Sequence, residues 1–167
     1  MIDKKSIDKL NLLHPKIRQA ALDAYAEAVK QTPIGVHPVI DQTIRSYAES
    51  DHLYQLGRTI VNPDGKSKNK PMGNIITNAK GGSSWHNFAL ALDFHLQVNG
   101  KDVWDVNHDW MTVVNIFKKY GFSSGLDFPG SFKDPPHLER QCGQTLSTLR
   151  KLHDAHKFIP GTNYIDF

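Results

Sequence analysis

Residues 90–98, LALDFHLQV, alternate strictly: Leu90, Leu92, Phe94 and Leu96 fall on one face, Ala91, Asp93 and His95 on the other. A period of two is that of a β-strand, here with one apolar face to bury and one small, polar face. Asn99-Gly100 follows, a pair suited to the left-handed dihedrals of a two-residue hairpin, and KDVW at 101–104 reads as the return strand.

Working outward, PKIRQAALDAYAEAV (15–29) sets Ile17, Ala20, Ala21, Ala24 and Ala28 on one helical stripe, with Pro15 suited to the first turn. Val36 to Thr43 reads as a short strand. Ser46 can cap a helix running through Leu53 and Leu56 to a stop at Gly57, which leaves Arg45 where strand gives way to helix. Downstream, Asn107 can cap a helix carrying Trp110, Val113, Val114 and Phe117 and closed by Gly121, and a last helix carries Leu146, Leu149 and Leu152. This order predicts an α+β fold, a small antiparallel sheet packed by three or four helices, with the polar face of the central strand available for chemistry.

Residues 58–88 hold NPDGKSKNKP and NAKGGSS, and structureless loops of such length inside a domain are usually functional. Lys66, Lys68 and Lys70 mark its tip, which reads either as a solvated loop or as a grip on an acidic polymer.

The chain of 167 residues fits one domain, 1–167, with no linker that would free a second. A single cysteine, Cys142, excludes internal disulfides and any Cys-based zinc knot, so a metal must be held by His and carboxylates. The net charge of +3 falls short of a nucleic-acid footprint. No run of about 18 apolar residues occurs, so no stable membrane insertion is expected, and MIDKKSIDKLNLLHPK lacks the apolar stretch of a signal peptide, so the expected location is the cytoplasm.

Two constellations carry chemistry. In SSWHNFALALD, His86 lies at the mouth of the strand and Asp93 seven residues on, along its polar face. Imidazole nitrogen and carboxylate oxygen both bind Zn²⁺, and Ala91 leaves room beside them. On spacing alone an Asp on a solvated strand face is equally ordinary. In DPPHLE (134–139), two prolines stiffen the backbone between Asp134 and His137. A catalytic zinc keeps three protein ligands and one open site, and His137 completes a His, Asp, His set that leaves Asp134 free as a general base.

The string Ser84 to Asp93, SWHNFALALD, resembles the SxHxxGxAxD motif of the zinc peptidases that include D-alanyl-D-alanine carboxypeptidases and dipeptidases, and DPPH resembles their second motif. Within that superfamily, GRT, ITNAKGGSSWHNFALALDF and SFKDPPHLE are most similar to the L-alanyl-D-glutamate endopeptidases of phage endolysins and bacterial cell-wall enzymes, a match spanning roughly residues 37 to 139. The resemblance implies one Zn²⁺ held by His86, Asp93 and His137, with Asp134 as catalytic acid and base. It further implies a catalytic and substrate-facing Arg45 within TIR, where the family carries T-x-R, and a supporting, substrate-binding Ser84. The expected substrate is peptidoglycan, cut between L-Ala and D-Glu by a monomer without a separate cell-wall-binding domain, held in the host cytoplasm until phage lysis. Two departures stand out: Ala89 occupies the usual glycine of the first motif, where a positive φ would be strained, and Phe128 and Leu138 differ from the residues common in relatives.

Rival readings remain at this level. A D-Ala-D-Ala carboxypeptidase would use the same zinc site, and a wall-binding module with a structural zinc would need no Asp134. His95, two residues beyond Asp93, is the substitute ligand. His153 and His156 stand at i, i+3 spacing but read as solvated, His14, His37, His52 and His108 as structural or surface residues, and Cys142 shows no activating pattern.

Overall fold

The computed structural model describes residues 3–167. In chain order its elements are α1 (Lys4–Leu10), α2 (Pro15–Gln31), β1 (Val36–Gln42), α3 (Tyr47–Gln55), β2 (Ala91–Val98), β3 (Lys101–Val103), α4 (His108–Lys119), β4 (Ser123–Ser124), β5 (His137–Glu139) and α5 (Leu146–Asp154). The expected α+β class is observed, and the expected helices and hairpin are found within a residue or two of their anticipated bounds. The addition is α1, a seven-residue helix whose Asp3 cap accepts from Lys5 N and Ser6 N. At about two turns it is shorter than the window of about 11 residues over which helical periodicity stands out in sequence.

All strand pairs are antiparallel. β2 is central: β1 pairs along one edge, from Val36 opposite Val98 to Gln42 opposite Asp93. The other edge takes β3 against residues 96–98 and β5 against residues 91–93, and β4 closes on β5. Asn99 and Gly100 adopt φ of 50° and 80°, the mirror-image turn that the Asn-Gly pair anticipates. A bulge between Ile40 and Gln42 breaks the β1 ladder beside the site, re-aiming Asp41 and Gln42.

The apolar face of β2 meets the helices. Leu92, Phe94 and Leu96 are fully buried, with the Phe94 ring 4.5 Å from that of Trp110 on α4, and Tyr25 of α2 packs in the same cluster and donates its hydroxyl to Pro38 O. The opposite face is not a solvated surface: Ala91 and His95 are buried, and Asp93, half-buried, borders a cleft. One wall of that cleft comes from the long loop. Arg58 draws it together by donating to Tyr54 O, Thr77 O and Asn78 Oδ1, while Lys66, Lys68 and Lys70 stand exposed at its far tip.

Candidate metal centre

His86 sits on a one-turn 3-10 helix, Trp85–Phe88, whose N-terminus is closed by a reciprocal cap. Ser84 Oγ accepts from His86 N, and Asn87 Oδ1 accepts from Ser84 N and Gly82 N. The Asn87 amide also donates to Arg45 O and Ser50 Oγ, tying the turn to α3. Ala89 ends the turn at φ 55°, ψ 33°, so the left-handed conformation that the family's glycine suits is adopted here by alanine. Ser84 therefore serves the architecture of the turn while bordering the cleft.

The turn delivers His86 with a defined orientation. Its Nδ1 lies 2.9 Å from Thr43 O, and a carbonyl only accepts, so Nδ1 carries a proton and Nε2 is the nitrogen turned to the cluster, where it can donate to Asp93 or, once deprotonated, offer its lone pair to a metal. That Nε2 is 3.3 Å from Asp93 Oδ1 and 3.2 Å from His137 Nδ1. Asp93 and His137 are cross-strand partners in the β2–β5 register, with Oδ1 and Nδ1 3.3 Å apart. Burial would raise the Asp93 carboxyl, but hydrogen bonds from His137 and His86 outweigh it and hold the group well below the usual carboxylate range. Burial likewise opposes protonation of His137, and its hydrogen bonds to Asp93 and Glu139 win, pushing it up to about 9. Protons here do a cation's work. Two imidazole nitrogens and one carboxylate oxygen lie within 4.8 Å of one another, a donor set of the kind that would hold a catalytic Zn²⁺ and leave it able to take a water.

Asp134 borders the same cleft without joining that cluster. Its backbone is pinned on both sides: its N–H donates to Gly125 O and its carbonyl accepts from His137 N. A Cβ on Gly125 would meet Asp134 O at 2.1 Å, so only glycine permits this approach. Burial raises the Asp134 carboxyl, and Asp93 adds to the effect against the lowering by His137. A carboxyl displaced upward holds a proton more readily, which suits a group that must take one up and return it. Arg45 also lines the cleft, its guanidinium held by two hydrogen bonds to Gln42 Oε1, and Gln42 in turn donates to Glu49. The cleft has a volume of about 580 Å³, with Trp85, Phe128 and Phe132 as its aromatic walls.

The remaining candidates fall elsewhere. His95 is turned away from the cluster: Nδ1 faces Asp41 at 2.8 Å, Nε2 lies 3.1 Å from Asp102, and Trp104 stacks on its ring, which removes it as a substitute ligand. His153 stacks on Tyr47 with its side chain still partly exposed, and the exposed His156 lies beyond the end of α5, so the two do not share a helix face. Cys142 is exposed and outside the cleft. Phe128 borders the cleft beside His137, whereas Leu138 points into the core. Sequence reasoning missed Glu139 and Gln42. Glu139 was within reach, since a strand starting at His137 places it two residues on, on the same face.

Fold and donor set point to a class: an α+β metalloprotein whose His, Asp, His group could hold one metal ion at the edge of an open cleft. Comparison with known proteins gives the rest. The peptidase M15 pattern described as D-alanyl-D-alanine carboxypeptidase matches residues 77–140. Peptidoglycan L-alanyl-D-glutamate endopeptidase CwlK of Bacillus subtilis is 40% identical over 136 residues, covering 76% of this chain and 72% of CwlK. In fold, the chain is similar to the L-Ala D-Glu endopeptidase ChiX of Serratia marcescens (TM-score 0.54, 16% identity, 83% of this chain and 88% of ChiX). It is also similar to the vancomycin-resistance D,D-pentapeptidase VanY solved with Zn(II) (TM-score 0.53, 16% identity, 85% of this chain and 78% of VanY). The chain belongs to the zinc L-alanyl-D-glutamate endopeptidase family within the M15 peptidases, and it is a peptidoglycan-hydrolysing zinc metallopeptidase.

Proposed function

We propose that this enzyme hydrolyses the L-Ala–D-Glu bond of peptidoglycan stem peptides, with His86, Asp93 and His137 as zinc ligands, Asp134 as general base and acid, and Arg45 as the substrate-facing cation. The observation that carries the reading is the 40% identity to CwlK across 136 residues, joined to a cleft in which those five side chains meet.

Bound zinc supplies Lewis acidity and a more acidic water. The protein's own part is positional. Asp134 takes a proton from the attacking water and returns it to the amine of D-Glu as the C–N bond breaks, so its protonation state is restored each turnover. Arg45, steadied by Gln42, offers its guanidinium to oxygen that gains charge as the peptide carbonyl is attacked, or to a neighbouring carboxylate of the stem. The reading is tested by digesting purified cell wall and identifying the new termini. Free N-terminal D-Glu is required, and its absence with folded, zinc-loaded protein refutes the assignment.

The D-alanyl-D-alanine carboxypeptidase description of the matched pattern favours one alternative, removal of a terminal D-Ala. Peptides with free or blocked C-termini separate the two, because only a carboxypeptidase requires the free carboxylate. The lysis role belongs to the same proposal: expression inside a bacterium should leave turbidity unchanged until the membrane is permeabilised, then collapse it.

A further inference from the structure

Glu139 is 3% exposed, a burial that a carboxylate tolerates only with hydrogen-bond partners. It has one on each oxygen: Oε2 lies 2.9 Å from His137 Nε2, and Oε1 accepts from the Gln141 amide at 2.6 Å. Strand pairing fixes its place, between Ala91 of β2 and Ser123 of β4, on the face that carries His137 and Asp93.

We propose that Glu139 is a positioning residue for the zinc site, holding His137 in the Nε2–H tautomer so that the Nδ1 lone pair is directed at the metal. The inference rests on the reading of His137 as a ligand. An imidazole cannot ligate through a nitrogen that carries a proton, and an ionised carboxylate can only accept. Glu139 therefore demands the proton at Nε2. The nitrogen left free is the one 3.3 Å from Asp93 Oδ1 and 3.2 Å from His86 Nε2. His86 is oriented by the opposite device, its Nδ1 bound to the Thr43 carbonyl and its Nε2 facing the cluster. One ring is thus set by backbone and the other by a buried negative charge, which also makes His137 the more basic donor. Gln141 restrains Glu139 from behind.

The test compares zinc affinity, by competition with a chelator, for the unsubstituted protein, Glu139→Gln, Glu139→Ala and Gln141→Leu, with circular dichroism of each metal-free protein as the control for folding. Glu139→Ala should weaken zinc about 10- to 100-fold. Glu139→Gln keeps an acceptor but loses the charge and should lose less, below about tenfold, and serves alone if the alanine variant does not fold. Long-range ¹H–¹⁵N NMR of the zinc-loaded protein should show the His137 proton on Nε2, which a merely structural contact would not dictate. Unsubstituted zinc affinity in folded Glu139→Ala, or a proton on Nδ1, overturns the inference while leaving the site intact. Failure of the unsubstituted protein to bind zinc, or undiminished binding by His86→Ala, overturns the reading of the site and this inference together.

Discussion

Asp93 and His137 face each other across the β2–β5 ladder, with carboxylate oxygen and imidazole nitrogen 3.3 Å apart. Without metal they form a buried ion pair in which His137 is pushed up to about 9. A ligating imidazole is neutral, so zinc must displace that proton. At pH 7 binding should release about one proton per zinc, and the release should fade as the pH passes 9, with apparent affinity rising over the same interval. Calorimetric titration in buffers of different ionisation enthalpy measures it. Proton release that does not change between pH 7 and pH 10 would count against the ion pair.

Asp134→Asn should retain zinc and lower turnover by a factor of about 10² to 10⁴, the usual contribution of a positioned acid or base. Its effect on stability has the opposite sign. Burial raises the Asp134 pKa above its ordinary 3.8, so the folded state disfavours the ionised form. That penalty is complete above the folded pKa and vanishes below 3.8. The metal-free variant should therefore unfold at higher denaturant than its parent at neutral pH, with the gap closing on acidification.

Arg45→Ala should reduce kcat/KM by about 10² to 10³, in the range measured for loss of one charge-stabilising donor. Gln42→Ala, which frees the guanidinium without removing it, should give a smaller loss of about tenfold. Neither should alter zinc content, measured by metal analysis beside the kinetics.

Ala89 holds a left-handed conformation while fully buried. Glycine would relieve about 1–2 kcal/mol of strain but forfeit about 0.8 kcal/mol of methyl burial and add freedom to the unfolded chain. Ala89→Gly should thus shift stability by less than about 1 kcal/mol. Ala89→Val, β-branched and larger, should destabilise by more than about 2 kcal/mol and scatter the His86 turn. Denaturant midpoints distinguish the pair.

His14 caps α2, accepting from Lys16 N, and its Nε2 donates to Ile165 O, 151 residues away in sequence. Burial pushes its pKa below 6.5, so the unfolded chain takes up a proton that the folded one refuses. Its stabilisation is present above pH 6.5 and is lost as pH falls toward the folded value. His14→Gln should cost about 1–2 kcal/mol at pH 7.5, and the difference from the parent should narrow by pH 5.5. Parallel lines across that range would refute the account.

Local pattern carried most of this in advance. The alternation of residues 90–98, the Asn-Gly turn and the caps at Ser46 and Asn107 act over a few residues, and each is found where its chemistry places it. The convergence of His86, Asp93, Asp134, His137 and Arg45 on one cleft was legible through the two family motifs rather than through spacing. What escaped depends on pairing between distant segments. That Asp41 reaches His95 follows from a bulge in β1, that Gln42 holds Arg45 follows from the same bulge, and that Glu139 backs His137 requires β5 to be recognised as a strand three residues long. Such short strands carry too little alternation to declare themselves.

The antiparallel docking of β5 on β2 also sets the order in which the donor group is assembled. Donors on residues 86 and 93 emerge early, but the cluster closes only when residue 137 has been added and paired. A prematurely terminated or half-folded chain presents two donors and no seat for a tightly held catalytic ion. On the proposed ligand set, tight zinc binding therefore waits on completion of the sheet, and a chain ending before residue 137 should hold the ion far more weakly.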